Sequence, residues 1–518
     1  MVLLFLGSAS PTCYGSGIEK IAAHPRTIEI DGRLDETRGN VIELPLPSRP
    51  RESEVMVASL AKAGRFHLSL PRFDGERDRI YSAFSLLSTP LDSAGPLHLH
   101  FIEQFDGVSK HTQPYPPASS KKGLQVQMVD DALRLGIKHA ALNVNLAGLI
   151  DLSDITNRMV WLMDGQTFGF NRRTVETLDA SVGTLSRAGV VVSLILLNYE
   201  GAGAEANRIM LHPNYDRSCP NHLSAFNTTT VEGWNYFRAG VEFLASRYSG
   251  DEKDGPRASN YILGNEVNSH WFWSNMGRVD METFADDYLR TLRACHTAVR
   301  KFSSSARVFI SLEHHWNIHY PGGDDRQTFR GRGLLDYLAR RSREQGDFDW
   351  NVAFHPYPEN LFECRTWNDK SATRTFATDR ITFKNIDILC DYLRLPELLY
   401  HGGPRHIILS EQGFHTADRP EGEAWQAAAY CYAYYKCARL PGIDAFILHR
   451  QVDHGQEGGL KLGLWRRDTT SASASQPLRK KLIYEVFRQA DTPDWEKSFA
   501  FALPIIGITN WHQLDPSR

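Results

Sequence analysis

Two glutamates close apolar runs in the second half of the chain, in Tyr261-Ile-Leu-Gly-Asn-Glu266 and His406-Ile-Ile-Leu-Ser-Glu411. A strand buried on both faces reads as an unbroken apolar run, and the first polar side chains beyond it stand at the strand's end. Two carboxylates about 5–5.5 Å apart can cleave a glycosidic bond with retention, one as acid and base, the other as nucleophile. Either glutamate alone reads as a surface or salt-bridged carboxylate. Together, with Asn265 before the first, they read as a catalytic pair. Glu313 and Glu200 also follow apolar runs and are the rival carboxylates, Glu313 the stronger of the two.

Positioning such a pair requires two strands roughly opposite one another in a ring. The sequence supplies eight apolar strand candidates, at residues 123–127, 138–145, 190–198, 261–264, 307–312, 350–354, 406–409 and 443–448. Helical patterns follow them at 128–135, 173–188, 231–248, 281–301, 334–344, 385–399, 423–439 and 478–489. Strand and helix alternating eight times predicts a (β/α)8 TIM barrel, whose site lies at the carboxyl ends of the strands. Polar and aromatic residues occupy those ends: Asn143 and Asn145, Asn198, Asn265, His315 and Trp316, His355 and Tyr357, Gln412, His449 and Arg450. Glu266 belongs to the fourth strand and Glu411 to the seventh.

Upstream the pattern differs. Short alternating runs at 26–30, 55–60, 66–70 and 97–101 predict an N-terminal β-sandwich-like accessory domain over residues 1–109. The Pro/Ser/Lys-rich stretch 110–122 reads as a linker, and 123–518 as the barrel. All eleven tryptophans lie at or beyond Trp161, so contact with sugar is assigned to the barrel. The chain has 518 residues, 58 basic against 61 acidic, and a net charge of −3. That balance argues against nucleic acid or an anionic membrane as main partner.

Gly264-Asn265-Glu266 on strand four, the strand-seven glutamate in IILSEQGF and the strand-six HPY resemble clan A of the glycoside hydrolases, retaining (β/α)8 enzymes. Within that group the chain is most similar to a bacterial family of uncharacterised function, through YILGNEVNSHWFW and FHPYPENL; the resemblance covers about residues 110–490. It implies a retaining glycosidase acting on an oligo- or polysaccharide without a cofactor. Glu266 would be the acid/base, Glu411 the nucleophile, and Asn265 the partner of the sugar 2-hydroxyl. Tyr357 or His355 would orient the nucleophile. The clan often places an Arg near the nucleophile from strand two; Asn143 and Asn145 stand there instead, and Arg450 is the substitute offered. The acid must be protonated near neutral pH, which an apolar, Trp-flanked setting favours. Trp271 and Trp273 follow Glu266, whereas Ser410 and Gln412 flank Glu411. Asn198, His315, His355, Tyr357, His449 and Arg450 are expected to bind substrate, with Trp316 and Trp465 as stacking platforms. The segment from His454 to Trp465 is expected to close one end of the cleft, favouring exo action.

Three other readings compete. A metal-dependent barrel hydrolase would use His98, His100, His315, His355 and Asp453, but HLH lies upstream of the barrel and its spacing is wrong. A sugar-binding protein on the same frame needs neither acid nor nucleophile. A transglycosylase would share every residue. The seven cysteines form no CxxC pair, and Cys431 and Cys437 read as small buried hydrophobes. The sequon at Asn227 would matter only in a eukaryotic secretory route. The apolar run 2–6 is shorter than a signal core and reads as a first strand or a signal remnant. No run reaches the ~18 apolar residues of a membrane span. The glycosidase reading favours secretion or the periplasm and leaves the cytoplasm open.

Overall fold

The computed structural model describes residues 16–48, 53–87, 97–153, 157–201, 203–250 and 255–515. The expected strand at 2–6 and Cys13 lie outside the described residues. The chain divides into two units, residues 1–108 with 343–347, and residues 109–342 with 348–518.

In the larger unit eight parallel strands close into a barrel in chain order. They are β1 (Lys122–Gln125), β2 (His139–Asn145), β3 (Val191–Leu197), β4 (Asn260–Leu263), β5 (Arg307–Glu313), β6 (Trp350–His355), β7 (Ile407–Leu409) and β8 (Ile443–Leu448). β8 pairs back on β1, with Ile447 opposite Gly123. The interior is filled by Ala141, Ile195, Ile262, Phe309, Ala353, Ile408, Ala445 and Ile447, joined by Leu197 and Leu223. Because side chains alternate along a strand, two residues beyond Ala353 and Ile408 bring His355 and Ser410 to the same inner side. The period of two thus places polar groups above the apolar plug.

The surrounding helices are α1 (Val129–Arg134), α2 (Arg172–Arg187), α3 (Val231–Arg247), α4 (Met281–Phe302), α5 (Gly331–Glu344), α6 (Asp387–Tyr392), α7 (Gly422–Arg439) and α8 (Leu482–Gln489). Three start on side-chain caps: Asn171 accepts from Thr174 N–H, Thr230 from Gly233 and Asp280 from Thr283. Helix α7, Ala/Tyr-rich on every face, is buried nearly throughout and includes Cys431 and Cys437.

Several elements differ from expectation. Residues 385–399 make only the short α6 and a 3-10 turn, Pro396–Leu398, because Pro396 disfavours helix in the residue before it. Residues 477–480 pair as a strand with Trp465–Arg467, delaying α8 to Leu482. A hairpin, Met159–Met163 with Gln166–Phe170, turns on Asp164-Gly165, both at positive φ, the residue pair such a turn requires. The stretch 110–121 packs on the barrel: Tyr115 O–H donates to Asn260 Oδ1 (3.1 Å), and Lys121 Nζ caps the carbonyls of Cys437 and Leu440 at the end of α7 (2.8 Å each). Asn227 of the sequon is buried, with its amide on Ile209 O and its oxygen accepting from Thr230 N–H, so its role is structural.

The smaller unit is built of antiparallel strands. One sheet runs Gly64–Pro71, Thr27–Leu34, Gly17–Ala23, Gln104–Phe105, its last pair parallel; another runs Val55–Leu60, Gly39–Leu44, Ala83–Leu87. Buried Glu43 is neutralised by Arg77 (2.6 Å) and Arg79 (3.0 Å). Residues 97–101, expected as a strand, contribute only a bridge between His100 and Phe84.

Candidate active site

Glu266 stands three residues past β4 in left-handed backbone (φ 41°), after Gly264 at φ 74°. A non-glycine residue rarely adopts that conformation, and the surroundings hold it there. Its N–H donates to Ser311 Oγ on β5 (3.0 Å), and its carbonyl accepts from Ser269 N–H (2.7 Å). Its carboxyl Oε1 lies 2.9 Å from His355 Nδ1, and His355 Nε2 lies 3.0 Å from Ser410 Oγ. Burial pushes the Glu266 carboxyl above the usual range; His355 pulls the other way, and the charges of Glu411 and Glu313 add to the rise.

Glu411 follows β7. Tyr357 O–H, beyond the end of β6, donates to Glu411 Oε1 at 3.0 Å. Burial and then the neighbouring carboxylates hold that phenol far above its ordinary value, so it stays a donor. One oxygen each of Glu266 and Glu411 and a ring nitrogen of His355 lie within 4.8 Å of one another. Gly413, two residues on, is needed because a Cβ there would sit 2.4 Å from the His449 carbonyl of β8's loop. Gln412 is buried and donates to Ile447 O (2.7 Å).

The rival carboxylates are occupied elsewhere. Glu313 is buried, its Oε1 taken by Asn268 Nδ2 (2.7 Å) and Ser269 Oγ (3.0 Å), its Oε2 by the backbone N–H and Nδ1 of His315. Burial would raise it, but those bonds hold it down to about 2. Glu200 pairs with Arg217 (2.9 Å) and accepts from Tyr215.

A cleft of about 1330 Å³ opens over β8, β1, β2 and β3, lined by Glu411, Asn265, His449 and Arg450 among others. Six expected binding residues do not line it: His355 and Tyr357, engaged by Glu266 and Glu411, and the four that follow. Asn198 is buried, its amide tied to Met210 O (2.8 Å) and Ala225 O (3.0 Å). His315 is committed to Glu313. Trp316 is 0% exposed and packs edge-on against Tyr392 of α6, in the helix layer. Trp465 donates its indole N–H to Asp131 and meets Tyr484 of α8 edge-on. The cleft instead presents Trp273, Tyr199, Asn221, Gln125, Gln127, Asn143 and Asn145, with His454 and Glu457 from the loop after β8. Trp273 also packs on the barrel's interior plug. The residues on β1 and β2 carry a signal, as polar side chains at strand ends, and Glu457 falls in the segment expected to close the cleft; Asn221 sits in a loop with none.

Metal ligands are a separate question. Glu266–His355–Glu411 and Glu313–His314–His315 each bring donor atoms within 4.8 Å. In both groups a ring nitrogen and a carboxylate oxygen are paired with each other. Asp453 belongs to neither group: it is bonded to Lys481 Nζ (2.8 Å) and Gly463 N–H (2.8 Å).

Fold and site together define a (β/α)8 protein with paired glutamates at the ends of its fourth and seventh strands. The chain belongs to DUF5722, a family of unknown function, whose model matches residues 114–514. No curated protein matches it. Among solved structures it is similar to a family 39 glycoside hydrolase from the gut symbiont Bacteroides cellulosilyticus WH2, at 13% identity over 90% of this chain and 82% of that one, TM-score 0.43. It is also similar to a hyperthermophilic β-glucosidase from Pyrococcus furiosus (15% identity, 73% and 86% covered, TM-score 0.43) and a family 1 β-glucosidase from Thermotoga maritima (12%, 69% and 84%, TM-score 0.42). No helix among the described residues is long and apolar enough to cross a membrane.

Proposed function

We propose that this protein is a retaining glycoside hydrolase that cleaves an O-glycosidic bond by double displacement. The observation that carries the reading is the approach of Glu266 and Glu411, with oxygens within 4.8 Å, Glu411 lining a large cleft. That approach is nearer the ~5–5.5 Å of retaining glycosidases than the ~6.5–9.5 Å of inverting ones, and supports direct carboxylate attack.

Glu411, oriented by Tyr357, attacks the anomeric carbon while Glu266 gives its proton to the departing oxygen. A glycosyl ester on Glu411 results. Glu266, now a carboxylate, takes a proton from water, whose oxygen attacks the anomeric carbon and releases Glu411. Burial favours the protonated form of Glu266 for the first half, and the nearby negative charge on Glu411 favours the same form. Asn265, lining the cleft beside the acid, is the hydrogen-bond partner for the sugar 2-hydroxyl. His355 bears on the acid, through Glu266, and Tyr357 on the nucleophile.

The test is a panel of 4-nitrophenyl glycosides and oligosaccharides with wild type, Glu266→Gln and Glu411→Gln. Turnover by wild type, its loss in both variants with unchanged melting, and a first-formed anomer of retained configuration by NMR are expected. Near-wild-type activity in either variant, or an inverted anomer, would overturn the reading.

A further inference from the structure

Glu313 is a buried carboxylate that the double displacement does not use, and its bonds converge on the turn that follows the acid. Side chains alternate along a strand, so Ser311 and Glu313 stand on one face of β5. β4 pairs with β5 in parallel, Leu263 opposite Ile310, which sets the residues after β4 beside Ser311 and Glu313. Those residues are Gly264, Asn265 and Glu266, followed by a buried 3-10 turn, Val267–Ser269.

β5 grips this stretch at successive points. Ser311 Oγ accepts from Glu266 N–H (3.0 Å). The Asn268 amide is held at both ends: its Oδ1 accepts from Glu313 N–H (3.0 Å), and its Nδ2 donates to Glu313 Oε1 (2.7 Å). Ser269 Oγ donates to the same Oε1 (3.0 Å), while Ser269 N–H donates to the Glu266 carbonyl (2.7 Å). The Asn268 carbonyl accepts from Phe329 N–H (2.6 Å), so the loop after β5 closes over the turn as well. On its other oxygen Glu313 accepts from His315 N–H (2.8 Å) and faces His315 Nδ1 (2.5 Å). Gly331 backs this side, where a Cβ would lie 2.9 Å from the His315 carbonyl.

Four donors thus meet two oxygens, an arrangement that suits a carboxylate because it accepts at both. An amide there would turn N–H groups toward donors on one side. Glu266 sits at φ 41°, a conformation that a non-glycine residue keeps only where its surroundings impose it. The nucleophile is set separately, by Tyr357 at Glu411. We propose, on the footing of the glycosidase reading, that Glu313 is a positioning residue for the acid: through Asn268 and Ser269 it holds the turn that aims Glu266 at the leaving oxygen, and it bears on proton donation rather than on nucleophilic attack.

The test follows kcat/KM along aryl glycosides of a sugar that wild type turns over. The series runs from 2,4-dinitrophenyl, whose phenolate departs unaided, to phenyl, whose departure needs a proton. Enzymes are wild type, Glu313→Gln, Ser269→Ala and, as references, Glu266→Gln and Tyr357→Phe. Misplacing a general acid costs roughly 10–100-fold. Glu313→Gln is expected to lose about that factor on the phenyl glycoside and almost nothing on the dinitrophenyl one, where kcat and KM fall together as the glycosyl ester accumulates. Ser269→Ala deletes one bond of the clamp and should show the same slope with a smaller loss. Tyr357→Phe should lose evenly along the series. A Glu313→Gln loss as even as that of Tyr357→Phe, or no loss at all, would overturn the proposal, while a steep series in Glu266→Gln keeps the glycosidase reading. Should Glu313→Gln not fold, Ser269→Ala decides: a steep series supports the proposal and a level one overturns it. A panel with no substrate, or a level series in Glu266→Gln, would remove that reading and the proposal with it.

Discussion

At the scale of single residues, Glu266 and His355 share a short contact in a buried place, and each alters the other's proton. His355 lowers the Glu266 carboxyl, while burial and the charges of Glu411 and Glu313 raise it. The proposed glycosyl transfer needs Glu266 protonated, so kcat/KM is expected to fall as pH rises through its raised value. Removing His355 removes a lowering influence. His355→Ala is therefore expected to move the alkaline limb of the kcat/KM profile to higher pH while cutting its plateau roughly 10–100-fold, the worth of a hydrogen bond to a charged group. A limb that stays in place, or moves down, would refute this role for His355. Both glutamates were legible because each ends an apolar run. Which neighbour serves which glutamate was not: His355 and Tyr357 are two residues apart in sequence, yet one bears on Glu266 and the other on Glu411. Trp316 and Trp465 show the same gap, since a tryptophan's sequence position does not say whether it faces cleft or helix layer.

At the scale of elements, the eight strands were readable because a parallel barrel buries both faces of each, which leaves an unbroken apolar run. Where tertiary pairing decides, local pattern does not: residues 477–480 have a helical look and form a strand because Trp465–Arg467 offers a partner. The loop between β8 and Trp465 carries Glu457, and its anchor is the buried pair Asp453–Lys481, with side chains 7% and 0% exposed. Burial lowers Lys481 to about 8, still charged at neutral pH. Asp453→Asn strands that charge, a change that costs about 3–5 kcal/mol. The variant is expected to melt several degrees lower and to lose kcat/KM, and the double variant Asp453→Leu/Lys481→Met to recover most of the melting temperature in calorimetry. A single variant that melts like wild type would show the loop is anchored otherwise.

At the scale of the whole molecule, the larger unit buries imidazoles that cannot easily be charged. Burial lowers His139 and His270 to about 4 and His314 to about 3. Unfolded, each takes up a proton near pH 6.5, so below that value the unfolded chain binds more protons than the native one. Stability is then fully present above about 6.5 and lost as pH falls toward 4, by up to about 1.4 kcal/mol per histidine per pH unit. Glu313 and Glu423, held at about 2, extend the loss below their unfolded value of 4.5. The melting temperature is expected to drop steadily from pH 7 to pH 4; a flat profile would contradict it. The uneven tryptophans take on a different meaning at this scale. Of the eleven, Trp273 lines the cleft, while Trp234, Trp316 and Trp350 are fully buried, so much of the asymmetry reflects the packing of a large barrel.

Under the proposed mechanism Glu411 becomes covalently glycosylated. The most direct measurement of this step is intact-protein mass spectrometry after incubation with activated 2-deoxy-2-fluoro glycosides, followed by peptide mapping. One added glycosyl unit is expected, on the peptide bearing Glu411, accumulating as activity is lost and absent in Glu411→Gln. An adduct on Glu313, Glu457 or Glu266, or inactivation-free turnover with no adduct, would contradict the account.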